Sequence, residues 1–289
     1  MLITSDKLIE DIRRLAAIPP NSLTNDKILD IVNEEILLNL VPLIKSVNKE
    51  YLVDFIEVTI SDNKDSIDIP SDAIANGVRE VLISQDGSSQ YYTNVPQISI
   101  NQLANQDRIY NNRTLSYYFI GNKIQLVGEY FANYKLKIFY LRRPSSLIAL
   151  RDSANLSNVD DNAIEINAAL TGVNKIDIID RDGNLTHSNI DVNVDASNPL
   201  RLVLLKPLDS APSVGSYVAQ SGTSPVVNGF PQEAMPLLKE YVNMRLMQQI
   251  ENNSAIKRSM ERIQKLEQNF LELTSPRNIG ELPILTKYF

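Results

Sequence analysis

The chain has 289 residues, and its 28 basic and 35 acidic side chains give a formal net charge of −7. Hydrophobic residues make up 43% of the chain and charged residues 22%, a composition that is typical of globular proteins and excludes a disordered or fibrous chain. Cys is absent and His187 is the one His, which excludes disulfides and thiolate sites, leaves little scope for His-dependent catalysis, and favours a structural or binding role.

A short amphipathic helix is predicted at the N-terminal end. Three apolar residues recur there at helical spacing, Leu8, Ile12 and Leu15. Ser5, just before them, suits the N-cap, and the proline pair at 19–20 ends the helix because it cannot continue the hydrogen-bond ladder.

A longer helix is predicted from about residue 24, with apolar side chains at helical spacing: Ile28, Val32, Ile36, Leu40, Leu43 and Val47. Pro42 lies inside this pattern, so a kink is expected near residues 38–40 rather than two separate helices. The opposite face is expected to stay polar and carries Asp30, Asn33, Glu34 and Glu35.

From about residue 51 the apolar period changes from helical spacing to alternation, which predicts strands. These strands cover residues 55–60, 66–69, 78–83, 115–120, 123–126 and 135–140. The clearest hairpin joins 115–120 to 123–126 through Gly121 and Asn122, which supply the positive φ of a two-residue turn. Strands at this spacing without long intervening helices imply an antiparallel sheet.

A second β-rich region is predicted between residues 145 and 225. Its strands are expected at 163–170, 175–180, 190–195 and 201–206, with turns at 181–184 and 196–199.

Helical spacing returns after Pro231, at Leu238, Val242, Leu246 and Ile250, and again at Ile256, Met260, Ile263, Leu266, Phe270 and Leu273. The polar run at 252–254 either breaks this helix or lies on its outer face, and propensity does not decide between the two. The pair at 275–276 ends the helix, and the remainder is expected to be an extended tail.

The sequence therefore predicts an α+β protein in which N-terminal helices and a long C-terminal helix form a bundle around an antiparallel β-rich middle with a second β-rich insertion. The predicted segments are N-terminal helices at 1–54, an antiparallel β domain at 55–144, a β-rich insertion at 145–225, the long C-terminal helix at 226–275 and the tail at 276–289.

No catalytic residue, cofactor or metal site is expected. His187 lies in a polar stretch without a partner pattern, which favours an exposed loop residue over a catalytic base. Residues 177–184 distantly resemble a calcium loop, but the register puts Ile178 and Asn189 at its first and twelfth positions, so a hairpin turn is favoured. The enzymatic alternative, a hydrolase that pairs two of Asp177, Asp180 and Asp182, has no supporting spacing.

Two groups of residues are candidates for a partner interface. Arg258, Arg262 and Lys265 share one helix face, which is either a solvated face interleaved with acidic residues or a contact with an acidic partner or DNA. The tail carries Leu282, Ile284, Leu285, Tyr288 and Phe289. These side chains either fold back onto the parent domain or are buried by a partner, for instance by strand addition to a neighbour's sheet.

Several stretches, taken in order, resemble the head-to-tail adaptor proteins of tailed bacteriophages, also called connector or head-completion ring proteins. The helix over 26–52 is similar to the family's second helix, IDIP at 67–70 to its strand-ending step, and YFIGNKI at 118–124 to its hairpin. FYLRRP at 139–144 resembles the strand that follows, 224–238 the entry to the last helix, and SPR at 275–277 its exit. The resemblance covers most of residues 5–150 and 215–285, and residues 145–215 match no part of the family.

The resemblance implies a non-enzymatic virion protein at the head–tail junction, assembled in the host cytoplasm. Such proteins form a closed ring, commonly of twelve copies, that docks on the portal protein and receives tail or further ring proteins. The genome passes through the ring during ejection, and a net negative charge would limit DNA contact to transient, non-specific proximity. No stretch approaches the roughly 20 apolar residues of a membrane span, so no membrane partner is expected.

Two alternatives remain open. Another tail or baseplate ring component would share the same features without binding the portal. A receptor- or carbohydrate-binding virion module would need exposed aromatic rings, and residues 145–215 contain no Phe or Tyr.

Overall fold

The computed structural model describes residues 2–19, 22–60, 66–84, 91–103, 115–128, 134–160, 162–208 and 210–274. They divide into two units, Leu52–Arg143 and a larger unit that joins residues 1–51 to the chain from Pro144 onward. The fold is α+β, as predicted, with helices near both ends of the sequence and mostly antiparallel sheets between them.

The N-terminal helices are α1 (Ser5–Ala16), α2 (Asn25–Glu35) and α3 (Val41–Asn48), and a short 3₁₀ turn (Lys49–Leu52) follows them. The N-cap of α1 is Thr4 rather than the predicted Ser5, because the Thr4 hydroxyl accepts the backbone N–H of Lys7. Ser5 is instead the first helical residue and is buried.

The predicted distortion before Pro42 takes the form of a π-helical turn, Ile36–Leu40, that joins α2 to α3 without a break. Pro42 has no N–H to donate to the carbonyl of residue 38, and its ring clashes with that carbonyl in a regular α-helix. The N–H of Val41 accordingly reaches back to the carbonyl of Ile36, one residue further than in an α-helix.

The smaller unit contains two sheets. The first, in the order β1–β7–β3–β4, consists of β1 (Val53–Thr59), β3 (Ala73–Ser84), β4 (Thr93–Asn94) and β7 (Lys135–Arg142). The second, in the order β2–β6–β5, consists of β2 (Ser66–Asp68), β5 (Ser116–Ile120) and β6 (Lys123–Val127). A short helix, α4 (Ile100–Leu103), lies between β4 and β5 in the chain.

The inner faces of these two sheets contribute to a single hydrophobic core, with Val81 and Ile138 from the first sheet and Ile124 and Leu126 from the second. The β5–β6 hairpin is confirmed. Gly121 has the positive φ, 57°, that its tight turn requires, whereas Asn122, also predicted to supply a positive φ, does not have one.

The second β-rich region is a closed barrel in the strand order β10–β13–β12–β11–β14–β9. Its strands are β9 (Ala154–Asp160), β10 (Ala163–Ile166), β11 (Lys175–Ile179), β12 (Leu185–Val194), β13 (Arg201–Leu204) and β14 (Tyr217–Gln220). The strand predicted at 163–170 ends early, at Ile166, and β9 and β14 were not predicted. The barrel interior is filled by apolar side chains, among them Leu156, Ile164, Ile176, Leu202 and Val218.

Two short strands flank the barrel in the chain, β8 (Ser146–Leu147) before it and β15 (Thr223–Ser224) after it, and they pair in parallel. The N-terminal segment is bonded to the chain that follows β15. The N–H of Val227 donates to the carbonyl of Ile3, and the N–H of Ser5 donates to the carbonyl of Pro225. The ends of the insertion are thereby joined to the helical part of the same unit.

The C-terminal region forms two helices, α5 (Met235–Gln249) and α6 (Asn253–Thr274), preceded by a 3₁₀ turn (Gln232–Ala234). The long helix predicted over 226–275 is therefore interrupted, which is the first of the two alternatives for the polar run: the helix breaks at 250–252, and Glu251 adopts a left-handed φ of 53°. Helix α5 is the centre of the bundle and packs against α1, α2 and α6. The tail predicted at 276–289 lies outside the described residues.

Candidate interaction surface

His187 was predicted to be an exposed loop residue. It lies instead on strand β12, where it is half-buried. Its Nε2 lies 2.9 Å from the carbonyl oxygen of Ser210 and 3.3 Å from the hydroxyl of the same residue. Because a carbonyl only accepts, this contact requires the proton on Nε2. The Thr186 hydroxyl, 3.1 Å from Nδ1, donates to the carbonyl of Ile178 at 3.1 Å. With its proton on Nε2, the ring donates to Ser210 instead of accepting from the hydroxyl of that residue.

Asp177 has a structural role rather than a place in an acid pair. Its carboxylate is buried, and its two oxygens accept the backbone N–H groups of Asn189 at 2.8 Å and Gly222 at 2.9 Å. These bonds tie β11 to β12, at the point where the β11–β12 register shifts, and to the turn that follows β14.

Asp180 closes the β11–β12 turn. Burial of its carboxyl raises the pKa, but hydrogen bonds from the Asn184 side chain and from backbone N–H groups of the turn outweigh burial, and the pKa lies below its ordinary value. The hairpin turn favoured over a calcium loop is therefore what forms. Among the described residues no group of three or more His, Asp or Glu side chains could hold a metal ion, and no helix is long and apolar enough to cross a membrane.

The three basic residues predicted to share a face, Arg258, Arg262 and Lys265, are exposed on α6. They differ in what they contact. Arg262 lies 3.5 Å from the carboxylate of Glu240, a buried residue of α5, whereas Arg258 donates to the carbonyl of Ser254 one turn earlier in its own helix. Arg262 thus stabilises the packing of α6, which leaves Arg258 and Lys265 as the candidates for an outside partner.

A buried polar network between α5 and α6 was not predicted. The Asn243 side-chain amide donates to Glu240 at 3.1 Å and to the hydroxyl of Ser259 at 2.9 Å, and the Tyr241 hydroxyl donates to Glu267 at 2.5 Å. Burial of the Tyr241 ring and its bond to the Glu267 carboxylate both raise the pKa of that hydroxyl. Glu267 therefore packs against α5 instead of alternating with the basic residues on a solvated face.

Half of the face of α2 predicted to be polar is covered. Asp30 and Glu34 are exposed, but Glu35 is buried and Asn33 exchanges two hydrogen bonds with the backbone of Leu147 in β8. Burial raises the pKa of the Glu35 carboxyl, which the hydrogen bond from Asn39 only partly offsets. Asn33 therefore holds β8 and Glu35 is buried, whereas Asp30 and Glu34 face water.

The helical part exposes several large apolar side chains, which are candidates for an interaction surface. Leu38 is 66% exposed and Leu273 is 71% exposed. The other members are Leu37 on the π-helical turn, Ile250 at the end of α5, and Met260 and Leu271 on α6. Their exposure has a cost in water that burial by a partner would remove.

The predicted interface residues Leu282, Ile284, Leu285, Tyr288 and Phe289 lie outside the described residues. No protein-family model matches the chain, and no curated protein matches its sequence.

Proposed function

We propose that the protein is a structural head-to-tail adaptor of a tailed bacteriophage. In this proposal several copies form a closed ring that docks on the portal protein, receives tail or further ring proteins, and surrounds part of the DNA channel. The proposal is supported by the sequence motifs that resemble this family and occur in the same order along the chain. It is also supported by a bundle built from helices that lie far apart in the chain.

The observation that carries the proposal is the set of exposed apolar side chains on that bundle. Leu37 and Leu38 become exposed where Pro42 forces the π-helical turn, and Met260, Leu271 and Leu273 lie along α6. A ring buries such surfaces between its members, whereas an isolated copy leaves them in water.

The net charge of −7 fits a wall that DNA passes without binding. Acidic surfaces repel phosphates, so the genome would slide through the channel instead of being held there. Arg258 and Lys265 are then better suited to an acidic protein surface than to DNA.

Electron microscopy of the purified protein mixed with its portal tests the proposal. The expected result is one particle in which a ring of this protein lies on the portal ring. Failure of the full chain to associate with the portal would contradict it.

A chain ending after Thr274 should associate more weakly if the tail binds a partner, and unchanged affinity would remove that role. Density found on another virion ring, away from the portal, would favour the tail or baseplate alternative.

A further inference from the structure

Strand β1 is at the edge of its sheet. It pairs with β7, and no other strand of the described residues pairs with it. The N–H of Ile60 donates directly to the carbonyl of Tyr134, which continues the β1–β7 register and identifies the bonded pairs. In an antiparallel pair every second residue is bonded, so Asp54, Ile56 and Val58 bond to β7.

The backbone groups of Val53, Phe55, Glu57 and Thr59 therefore point away from the sheet. One of these donors is already used, because the N–H of Phe55 donates to the carboxylate of Asp54 at 2.8 Å. Within the described residues no backbone group bonds to the carbonyl of Phe55 or to the backbone groups of Glu57 and Thr59, and we call these groups the β1 edge. Such an edge is a template for another strand.

The core below the β1 edge is incompletely covered. Leu136 and Ile138 on β7 are fully buried, whereas Ile56 and Val58, which pack against the same core from β1, remain partly exposed. One more strand with apolar side chains on the inner face would complete this cover.

The outer face beside the β1 edge combines aromatic rings and charge. The Lys137 ammonium lies 3.8 Å above the Phe55 ring and 3.5 Å from the Glu57 carboxylate, and the Phe139 ring centre is 5.7 Å from that of Phe55. Phe55 is nevertheless 46% exposed. A strand added here would meet rings suited to apolar side chains and an acid suited to a cation.

A segment of this chain has the matching pattern. Residues 284–289 read Ile-Leu-Thr-Lys-Tyr-Phe, which are mostly strand-favouring types, and Pro283 stands where the first residue of an edge strand tolerates proline. If Ile284, Thr286 and Tyr288 were on the inner face and Lys287 opposite Glu57, one of Leu285 and Phe289 would lie opposite the exposed Phe55 ring and the other opposite Thr59. The nine residues from 275 to 283 separate this segment from α6 and span at most about 30 Å when extended.

We propose that residues 284–289 of one copy add as a strand to the β1 edge of a neighbouring copy. The inference rests on the proposed function in one respect, since it needs a second copy beside the first. It deepens that function by identifying what joins the members of the ring.

The absence of Cys makes disulfide trapping a direct test. Chains carrying Glu57→Cys are mixed with chains carrying Lys287→Cys under mild oxidation, and the expected product is a covalent dimer of the two. Glu57→Cys mixed with Thr286→Cys is the matched control, and it should give at least tenfold less dimer because residue 286 faces the other side of the strand. No dimer in the first mixture, or equal yields in both, overturns the inference. A chain carrying both Glu57→Cys and Lys287→Cys that links to itself as a monomer also overturns it.

Hydrogen exchange supplies a second measurement on the unmodified chain. The amides of Glu57 and Thr59 should exchange more slowly in the full chain than in a chain ending after Thr274, and equal rates would contradict the inference. The portal assay separates the two proposals. Rings that dock on the portal without the cross-link overturn only the strand addition, whereas the cross-link in copies that never dock supports the strand addition and contradicts the adaptor function.

Discussion

Carboxylates carry much of the specific structure at the scale of single residues. Asp11 on α1 accepts a 2.6 Å hydrogen bond from Lys239 on α5, and that bond lowers the pKa of Asp11 below its ordinary value of 3.8, although burial acts in the opposite direction. A lowered pKa in the folded state means that the pair stabilises the fold above the unfolded-state pKa. This stabilisation is lost as the pH falls through the lowered pKa of the folded state.

Asp11→Asn should lower the free energy of unfolding by about 1 kcal/mol at pH 7, because it removes a partly buried charged hydrogen bond. The difference from the unmodified protein should shrink below about pH 4 and vanish once Asp11 is protonated in both folded and unfolded chains. Urea unfolding at a series of pH values measures this. Glu10→Gln, which removes an exposed ion pair with Lys7, should change the stability by less than about 0.5 kcal/mol. A pH-independent difference for Asp11→Asn would contradict the role assigned to the pair.

Asp177→Ala should destabilise the barrel by about 2 to 5 kcal/mol, because it removes a buried carboxylate and leaves the part-buried N–H groups of Asn189 and Gly222 without this acceptor. Asp182→Ala, an exposed change in the neighbouring turn, is the control and should be nearly neutral. Thermal unfolding compares the two. Similar midpoints for both variants would show that the Asp177 carboxylate does not hold the barrel strands together.

Single-sequence patterns identify a stripe of apolar residues on a helix but not what covers its polar side. Of the predicted stripe, Ile28, Val32, Ile36 and Leu40 are buried, whereas Leu43 and Val47, which follow the π-helical turn, are only half-buried. Glu35 and Asn33 were predicted to be solvated, and they are covered because β8 and α5 come from residues more than 100 positions further along the chain. The tautomer of His187 likewise depends on the distant carbonyl of Ser210.

At the scale of elements, the β5–β6 hairpin depends on one backbone angle. Gly121→Val should cost about 1 to 2 kcal/mol, because a β-branched residue is strained at a φ of 57°. Gly121→Asn should cost less, because Asn tolerates the left-handed region, and space is not limiting since no atom lies within 4 Å of the position a Cβ would occupy. Chemical denaturation of the two variants gives the comparison. Equal losses would mean that the angle is not the source of the cost.

The α5–α6 packing depends on the charge pair between Arg262 and buried Glu240. Arg262→Met should destabilise the protein by about 1 to 3 kcal/mol and speed hydrogen exchange in α6, since the Glu240 carboxylate loses its cation. Lys265→Met removes the same charge one turn away and should leave both quantities unchanged. A loss of portal affinity in the Lys265 variant without a loss of stability would assign Lys265 to a partner contact.

Local signals predicted the elements that local chemistry determines. Helix α1, the irregularity before Pro42 and the β5–β6 hairpin all follow from residues close in sequence. The break at 250–252 does not, because Asn and Ser only weakly disfavour a helix, and the left-handed Glu251 is set by α6 folding back onto α5. Strand β9, with a mostly polar sequence, is a strand because the barrel closes through it.

At the scale of the whole molecule, substitution of an exposed leucine is expected to weaken assembly without changing the stability of the single copy. Leu273→Glu should weaken association into rings or with the portal at least tenfold and leave the melting temperature unchanged, because the side chain is exposed in the single copy. Gln264→Glu adds the same charge to an exposed polar position of α6 and should change neither. Association is measured by analytical ultracentrifugation and the portal assay. Normal association of the Leu273 variant would remove this residue from the interface.

The alternation of apolar residues predicted an antiparallel β region but not which strands pair. Strand β1 pairs with β7 instead of with β2, its neighbour in the chain. Pairings across some 80 residues depend on which faces fit together after folding, and turn chemistry does not encode them. The same holds for the closure of the barrel by β9 and β14.

The barrel begins and ends at one place: β9 pairs with β14, and β8 with β15 just outside it. The roughly seventy residues of the barrel are therefore inserted into the helical part like a loop whose two ends are already in contact. A module attached in this way can be lengthened, exchanged or lost by recombination without shifting the register of the bundle. Related chains are therefore expected to differ more in this appendage than in the helical scaffold.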